Sequence, residues 1–277
     1  METAEVATEI EERLRARRLT VPVLPSVAAM VLAVINDPGA DISSLSNAIR
    51  RDPSLAGHVV KYANAPLLRA GAPVLTVGQA ISRLGVRTVA DVVFAACIGP
   101  RLFHAPLYAA RIRRIWQESL ATAFWAHEIN AVRVRHVEGH FLCGLLHQVG
   151  LSVVLQAIQD ILGPAPQPAP TDEDIETLLH SFGKRAGVDV ATRWRLPAAV
   201  VEVIEHLDDP LVAPEHAMLV SDVAAARLLA TLMIEGMPLQ PERLCATPQM
   251  VAAGLGQTEV MRLLERLEAV QGLMGLG

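Results

Sequence analysis

Imidazole is the side chain most often used to bind a metal ion or carry a proton near neutral pH. Nine histidines stand in this sequence: His58, His104, His127, His136, His140, His147, His180, His206 and His216. Two of them flank the apolar run in GHFLCGLLHQVG, residues 139–150, where His147 is followed directly by Gln148. Read as a helix, His140 and His147 share a face because they are two turns apart. That spacing also separates them by about 10 Å along the axis, too far for one ion. The i,i+4 spacing that would suit a shared ion occurs at His136 and His140, but Val137-Glu138-Gly139 between them reads as a turn into the helix.

Other arrangements that do chemistry are missing. The sequence contains no HExxH, phosphate-binding P-loop, GxSxG elbow or glycine-rich dinucleotide turn. Asp172, Glu173 and Asp174 cluster at a helix start, where the backbone dipole accounts for them without catalysis. Cys97, Cys143 and Cys245 form no CxxC pair, which speaks against a disulfide framework or a cysteine zinc site. A reducing cytoplasm is the expected compartment.

Net charge is -5 and the pI about 6.0, so no overall positive field recruits nucleic acid. Two local basic clusters, Arg13, Arg15, Arg17 and Arg18 in the first helix and Arg111, Arg113 and Arg114 before Trp116, are expected to be solvated helix faces or contact surfaces. The N-terminal segment is charged and helical in pattern rather than signal-like. No window holds about 18 or more consecutive apolar residues, so membrane attachment is not expected.

These residues must be held by helices. Apolar residues recur at three and four nearly everywhere, and alternating strand patterns and hairpin turns are missing, so the chain reads as all-α. At 277 residues and 52% hydrophobic it can bury a sizeable core. Ser26 is placed to cap a helix that stops at Asp37-Pro38-Gly39, and Asp41 to cap the next. Pro53 opens a helix after Asp52, Thr76 caps another that Gly85 ends, and Thr171 caps a later one with carboxylates in its first turn. Gly and Pro in residues 99–106 interrupt the pattern before two longer helices, roughly 107–132 and 137–160. The boundary set there divides the chain into residues 1–105 and 106–277.

Several segments together resemble the HDOD family, bacterial domains related to the HD phosphohydrolases. In the first part these are LPSVAAMVLAVINDPGADISSLSNAIRRDPSLAGHVVKYANA, with its Ala63-Asn64 pair, and VGQAISRLGVRTVADVVFAAC. In the second they are IWQESLATAFWAHEI, FLCGLLHQVGLSVV, GVDVATRWRLPAAVVEVIEHL and SDVAAARLLA. The resemblance implies a two-lobe helical arrangement, an N-terminal helical bundle (1–105) leaning on an HD-like helical lobe (106–277). HD phosphohydrolases hold a divalent metal with an early histidine, an adjacent His-Asp pair and a late aspartate. Those positions correspond here to Glu118, to His147 with Gln148, and to Asp222. His206 stands where related hydrolases often place a further histidine, followed here by Leu207.

Two of four ligand positions therefore differ, and at 148 an anion is replaced by an amide that supplies only a dipole. The resemblance with this altered set implies a non-catalytic regulatory protein with no metal or cofactor, acting in trans through signalling proteins such as cyclic-dinucleotide, kinase or response-regulator components. Homodimerisation stays open. One alternative is a divergent phosphohydrolase using His147, Asp222 and Glu118, which requires the three side chains to converge on one point. Another is a nucleotide sensor with Arg193 and Arg195 neutralising phosphate. Plain structural roles exist for each residue. His147 can be a core histidine, Gln148 can bond a neighbouring helix backbone, and Asp222 can face solvent or pair with an arginine. Trp116 and Trp194 can anchor lobe packing, and Gly144 can permit close helix approach.

Overall fold

The computed structural model describes residues 3–36, 42–65, 71–133, 138–164 and 169–274, and among them every regular element is helical. Helix α1 (Thr3–Arg15) is followed by α2 (Ser26–Asn36), α3 (Ile42–Arg51), α4 (Pro53–Ala63) and α5 (Val77–Cys97). Two short 3-10 turns lead into α6 (Ala109–Val132), α7 (His140–Leu146), α8 (Val149–Leu162), α9 (Asp172–Trp194), α10 (Ala198–His206) and α11 (Ala217–Ile234). Four short helices close the chain: α12 (Pro241–Cys245), α13 (Pro248–Ala252), α14 (Gln257–Leu264) and α15 (Leu267–Met274).

Helix starts follow the local chemistry of the sequence. Asp52 accepts from the backbone N–H groups of Ser54 and Leu55 at 2.9 and 3.2 Å, with Pro53 supplying a preset φ at the first helical position. Thr76 with Gln79, and Thr171 with Asp174, form reciprocal capping boxes. Gly85, at φ 80° and ψ 157°, breaks α5 into two segments at the expected stop. Ser26 is the first residue of α2 rather than its cap, and the stop at Asp37-Pro38-Gly39 and the cap at Asp41 lie outside the described residues.

Helices α2 to α5 pack on one another as the N-terminal lobe, burying Val31, Ile49, Val59 and Val93. In the second lobe α11 lies along α6, α7 packs against both, α8 crosses α9, and α13 to α15 cover α11 and α6. Helix α1 belongs to residues 1–105 by chain order, yet it docks on α8 and α9. Thr3 and Glu11 bond Asp174 and Arg185 of α9. Further along, Arg193 donates to the carbonyls of Leu19 and Arg17 at 3.1 and 2.6 Å, and the Trp194 indole to that of Pro22 at 2.9 Å. The N-terminal segment is thus a strap across the second lobe.

The single helix expected over roughly 137–160 is two helices. The chain leaves helical hydrogen bonding at His147-Gln148, where Gln148 takes φ -123° and ψ 22°. By length and composition the segments 140–162 and 217–234 resemble membrane spans, but they are 89% and 56% buried within the protein. Their apolarity is that of interior helices covered on most sides.

Glycine sets two of the closest crossings. A Cβ on Gly144 would lie 2.8 Å from the Ala123 Cα, so α7 meets α6 almost backbone to backbone. At the α8–α9 crossing, a Cβ on Gly150 would lie 2.0 Å from the Gly183 carbonyl oxygen and 2.3 Å from the Gly187 nitrogen. Neither can take a side chain without separating the helices, so Gly150→Ala is expected to cost about 1–3 kcal/mol. Gly57, in the exposed face of α4 with open space around it, gives the opposite sign, because alanine gains roughly 0.5–1 kcal/mol over glycine in a helix. Urea unfolding of both variants against the parent protein measures the contrast.

Candidate functional site

The positions carried over from the HD pattern fall on three elements: Glu118 on α6, His147 and Gln148 at the α7–α8 junction, and Asp222 on α11. Asp222 is fully buried. A carboxylate without water needs partners, and breaking such a pairing is far costlier than never forming it. Its partners are Arg133, just past the end of α6, and His140, the first residue of α7. The Arg133 guanidinium grips both carboxylate oxygens, one through Nε at 3.2 Å and the other through Nη2. His140 Nε2 lies 3.0 Å from Oδ2. Arg133 Nη2 also donates to the carbonyl of Ala253 at 2.5 Å, bringing in the end of α13. Of the two structural roles open to Asp222, solvent exposure is thereby corrected and pairing with an arginine holds.

His147 sits apart from this cluster. It lies seven residues beyond His140, about 10 Å by helical rise. Its Nδ1 donates to the carbonyl of Gly144 at 2.7 Å, and its buried Nε2 has no hydrogen-bond partner. Burial is the main cause that pushes its pKa down to about 4, with the positive charge of Arg227 acting the same way and the Gly144 bond opposing. The ring is therefore neutral at physiological pH with a bare lone pair on Nε2.

Gln148 donates from Nε2 to the backbone carbonyl of Ile115 on α6 at 3.0 Å. Glu118, half-buried, is paired with Arg114 one turn earlier at 2.9 Å. His206 ends α10, half-buried, with Nε2 4.0 Å from Glu205. Among the described residues, the group of three acidic and histidine side chains whose ligand atoms all lie within 4.8 Å of one another is Glu202, Glu215 and His216, not Glu118, His147 and Asp222. His136 lies outside the described residues, so its pairing with His140 is not described.

The divalent metal of the HD phosphohydrolases fits these side chains poorly. A cation at Asp222 would have to share its carboxylate with a guanidinium already bonded to both oxygens, and the amide of Gln148 turns its donor toward Ile115. The His147 Nε2 presents a lone pair with no hydrogen-bond partner, but Asp222 is bonded elsewhere and does not join it. Glu202 is likewise committed. It accepts from the backbone N–H groups of Glu215 and His216 at 3.1 and 2.9 Å and from His216 Nδ1 at 2.8 Å, fastening the approach to α11. Of the candidate phosphate-binding arginines, Arg193 has other work, bridging Asp189 and the carbonyls that hold the N-terminal strap, while Arg195 is exposed at the end of α9. In the basic clusters, Arg13 and Arg15 pair with Glu9 and Glu11 one turn away, and Arg111 reaches Asp172 at 2.6 Å and Glu176 across to α9.

The sequence reading missed Arg133 and the joining of His140, rather than His147, to Asp222. One signal was available. Asp222 interrupts AMLVSDVAAARLLATLMI, an otherwise apolar helix whose only other charge is Arg227, and a carboxylate in such a setting implies a buried partner.

An all-helical arrangement with a short-helix lobe leaning on an HD-type helical domain defines the class, and solved structures share it. A Shewanella amazonensis protein provisionally named a metal-dependent phosphohydrolase matches with a TM-score of 0.75 at 18% identity, covering 98% of this chain and 99% of its own. An HDOD domain protein of unknown function from Geobacter sulfurreducens matches at 0.69 and 20%, covering 99% and 98%. A provisionally named signal transduction protein from Marinobacter aquaeolei matches at 0.61 and 19%, covering all of this chain and 68% of its own. The HDOD domain itself is matched over residues 21–210, and the chain belongs to that family. An uncharacterized protein of Treponema pallidum is 23% identical over 236 residues, 82% of this chain and 44% of that protein, so the chain spans less than half of that relative's length.

Two outcomes are expected. Asp222→Ala strands the partly buried Arg133 and should cost about 3–5 kcal/mol in urea unfolding. His147, with a folded pKa below its unfolded value, contributes stability that is present above pH about 6.5 and is lost as pH falls toward about 4, where the unfolded chain binds the proton more readily. The slope is at most about 1.4 kcal/mol per pH unit. Asp91, raised to about 7 chiefly by burial, works in the opposite direction between about pH 4 and 7. The difference between the parent protein and His147→Gln across that range isolates the histidine.

Proposed function

We propose that this HDOD protein is a non-catalytic regulatory module that works through contacts with signalling proteins, of the kind that handle cyclic dinucleotides or act as kinases and response regulators. The observation that carries this reading is the engagement of Asp222. The late aspartate of the HD ligand set has both oxygens bonded to Arg133 and one also to His140. Its charge is neutralised internally and is spent on joining α6, α7, α11 and the end of α13. Gln148 in place of a carboxylate, and Glu118 paired to Arg114, support the same reading. What persists is a scaffold whose interior positions have become structural, which leaves its surfaces as the means of action.

A divergent phosphohydrolase is the alternative, and one observation favours it: the unprotonated, unpartnered Nε2 of His147 is the form in which imidazole binds a metal. The two readings separate in one experiment. Protein purified without chelator is analysed for bound transition metals, then incubated with manganese or magnesium and a panel of nucleotides and cyclic dinucleotides while phosphate and hydrolysed nucleotide are measured. The regulatory reading expects less than one metal per chain and no turnover above buffer. Metal-dependent turnover that His147→Ala abolishes would overturn it.

A further inference from the structure

A cavity of about 630 Å³ opens between the two lobes, walled by α4 and α5 on one side and by α6, α7 and α15 on the other. None of Glu118, His147, Gln148 or Asp222 lines it, so it is a second feature, independent of the altered metal positions and of the function proposed above. Its volume falls within the roughly 300–1,000 Å³ typical of small-molecule sites. Four aromatic rings line it among aliphatic side chains. Tyr62 and Phe124 face each other across the lobe junction with ring centroids 6.1 Å apart and planes 16° from parallel, and Phe141 meets Phe124 edge-on at 5.5 Å. Trp116 adds a partly exposed indole to the same wall.

Polar groups are few. Ser54 and His58 stand exposed at the α4 edge, where His58 Nδ1 is bonded to the Ser54 carbonyl at 2.8 Å. Burial, and the nearby carboxylates of Glu128 and Asp91, keep the Tyr62 hydroxyl protonated, so it is a hydrogen-bond donor. No lysine, arginine, aspartate or glutamate is among the described lining residues. An ion entering here would lose hydration with no opposite charge to replace it.

We propose that this cavity is a binding site for an uncharged, largely aromatic small molecule, held by stacking against Trp116 and the Tyr62–Phe124 pair and oriented by a few hydrogen bonds at the α4 edge. Because its walls come from both lobes, an occupant is in contact with each and stabilises their junction. That gives a regulatory scaffold a chemical input distinct from the ancestral metal site.

The test uses two dyes on nearly the same ring skeleton, uncharged N-phenyl-1-naphthylamine and anionic 8-anilino-1-naphthalenesulfonate, titrated into the full chain. The uncharged dye should give a saturable, one-site fluorescence gain and raise the melting temperature, with the anionic dye weaker by about tenfold or more. Ala96→Trp, on an exposed residue of α5, and Ser54→Trp, on the exposed edge of α4, should each fill the space and weaken the uncharged dye by about tenfold or more. Melting curves without dye show that the variants fold, and two variants on different helices guard against the loss of either. Absence of saturable binding, equal or tighter binding of the anionic dye, or affinity unchanged in folded variants overturns the proposal.

Discussion

A carboxylate sealed from water, Asp222, is buried in the second lobe, and its need for partners organises that lobe. Asp222 is reached by Arg133 after α6, by His140 at the start of α7 and, through the same arginine, by the end of α13. An unpaired buried charge costs several kcal/mol, so these segments are bound to one arrangement far more tightly than apolar packing alone would require. The constraint also fixes where α7 begins. Gly139 adopts φ 97° immediately before it, which turns the chain so that His140 enters the helix facing α11.

Once α7 is anchored at its first residue, the close α6–α7 approach at Gly144 follows, and with it the burial of His147 one turn later. The helix then ends, and α8 departs to cross α9 through Gly150, Gly183 and Gly187. The junction that in HD enzymes carries a metal-binding pair is here stitched into the fold, with His147 bonded to Gly144 and Gln148 to Ile115. Side chains bonded to the backbone in this way hold α7 and α8 in place, so altering either costs stability.

Much of this was legible in the residues. Capping chemistry marks the starts of α4, α5 and α9 because an N-cap oxygen, a first-turn proline or a reciprocal Gln or Asp acts within four residues. Gly85 marks a break for the same local reason. The family, and with it the two-lobe fold, is legible because several separate segments occur in the right order. The break at His147-Gln148 was not legible, since apolar periodicity runs unbroken through HFLCGLLHQVGLSVV and both helices face the core. The docking of α1 on the second lobe was hidden as well, because chain order says nothing about which distant surface an amphipathic helix covers.

The sequence by itself determined the helical class, the capped starts of α4, α5 and α9, and the family. These depend on contacts within a few residues or on linear order. Only the tertiary structure decided what these residues do: that Asp222 belongs with His140 and Arg133 rather than with His147, that Gln148 bonds α6, and that a cavity opens between the lobes. The physical reason is distance along the chain. Asp222 is 82 residues from His140 and 89 from Arg133. No local propensity records such a meeting; it exists only once packing has brought three helices around one buried charge.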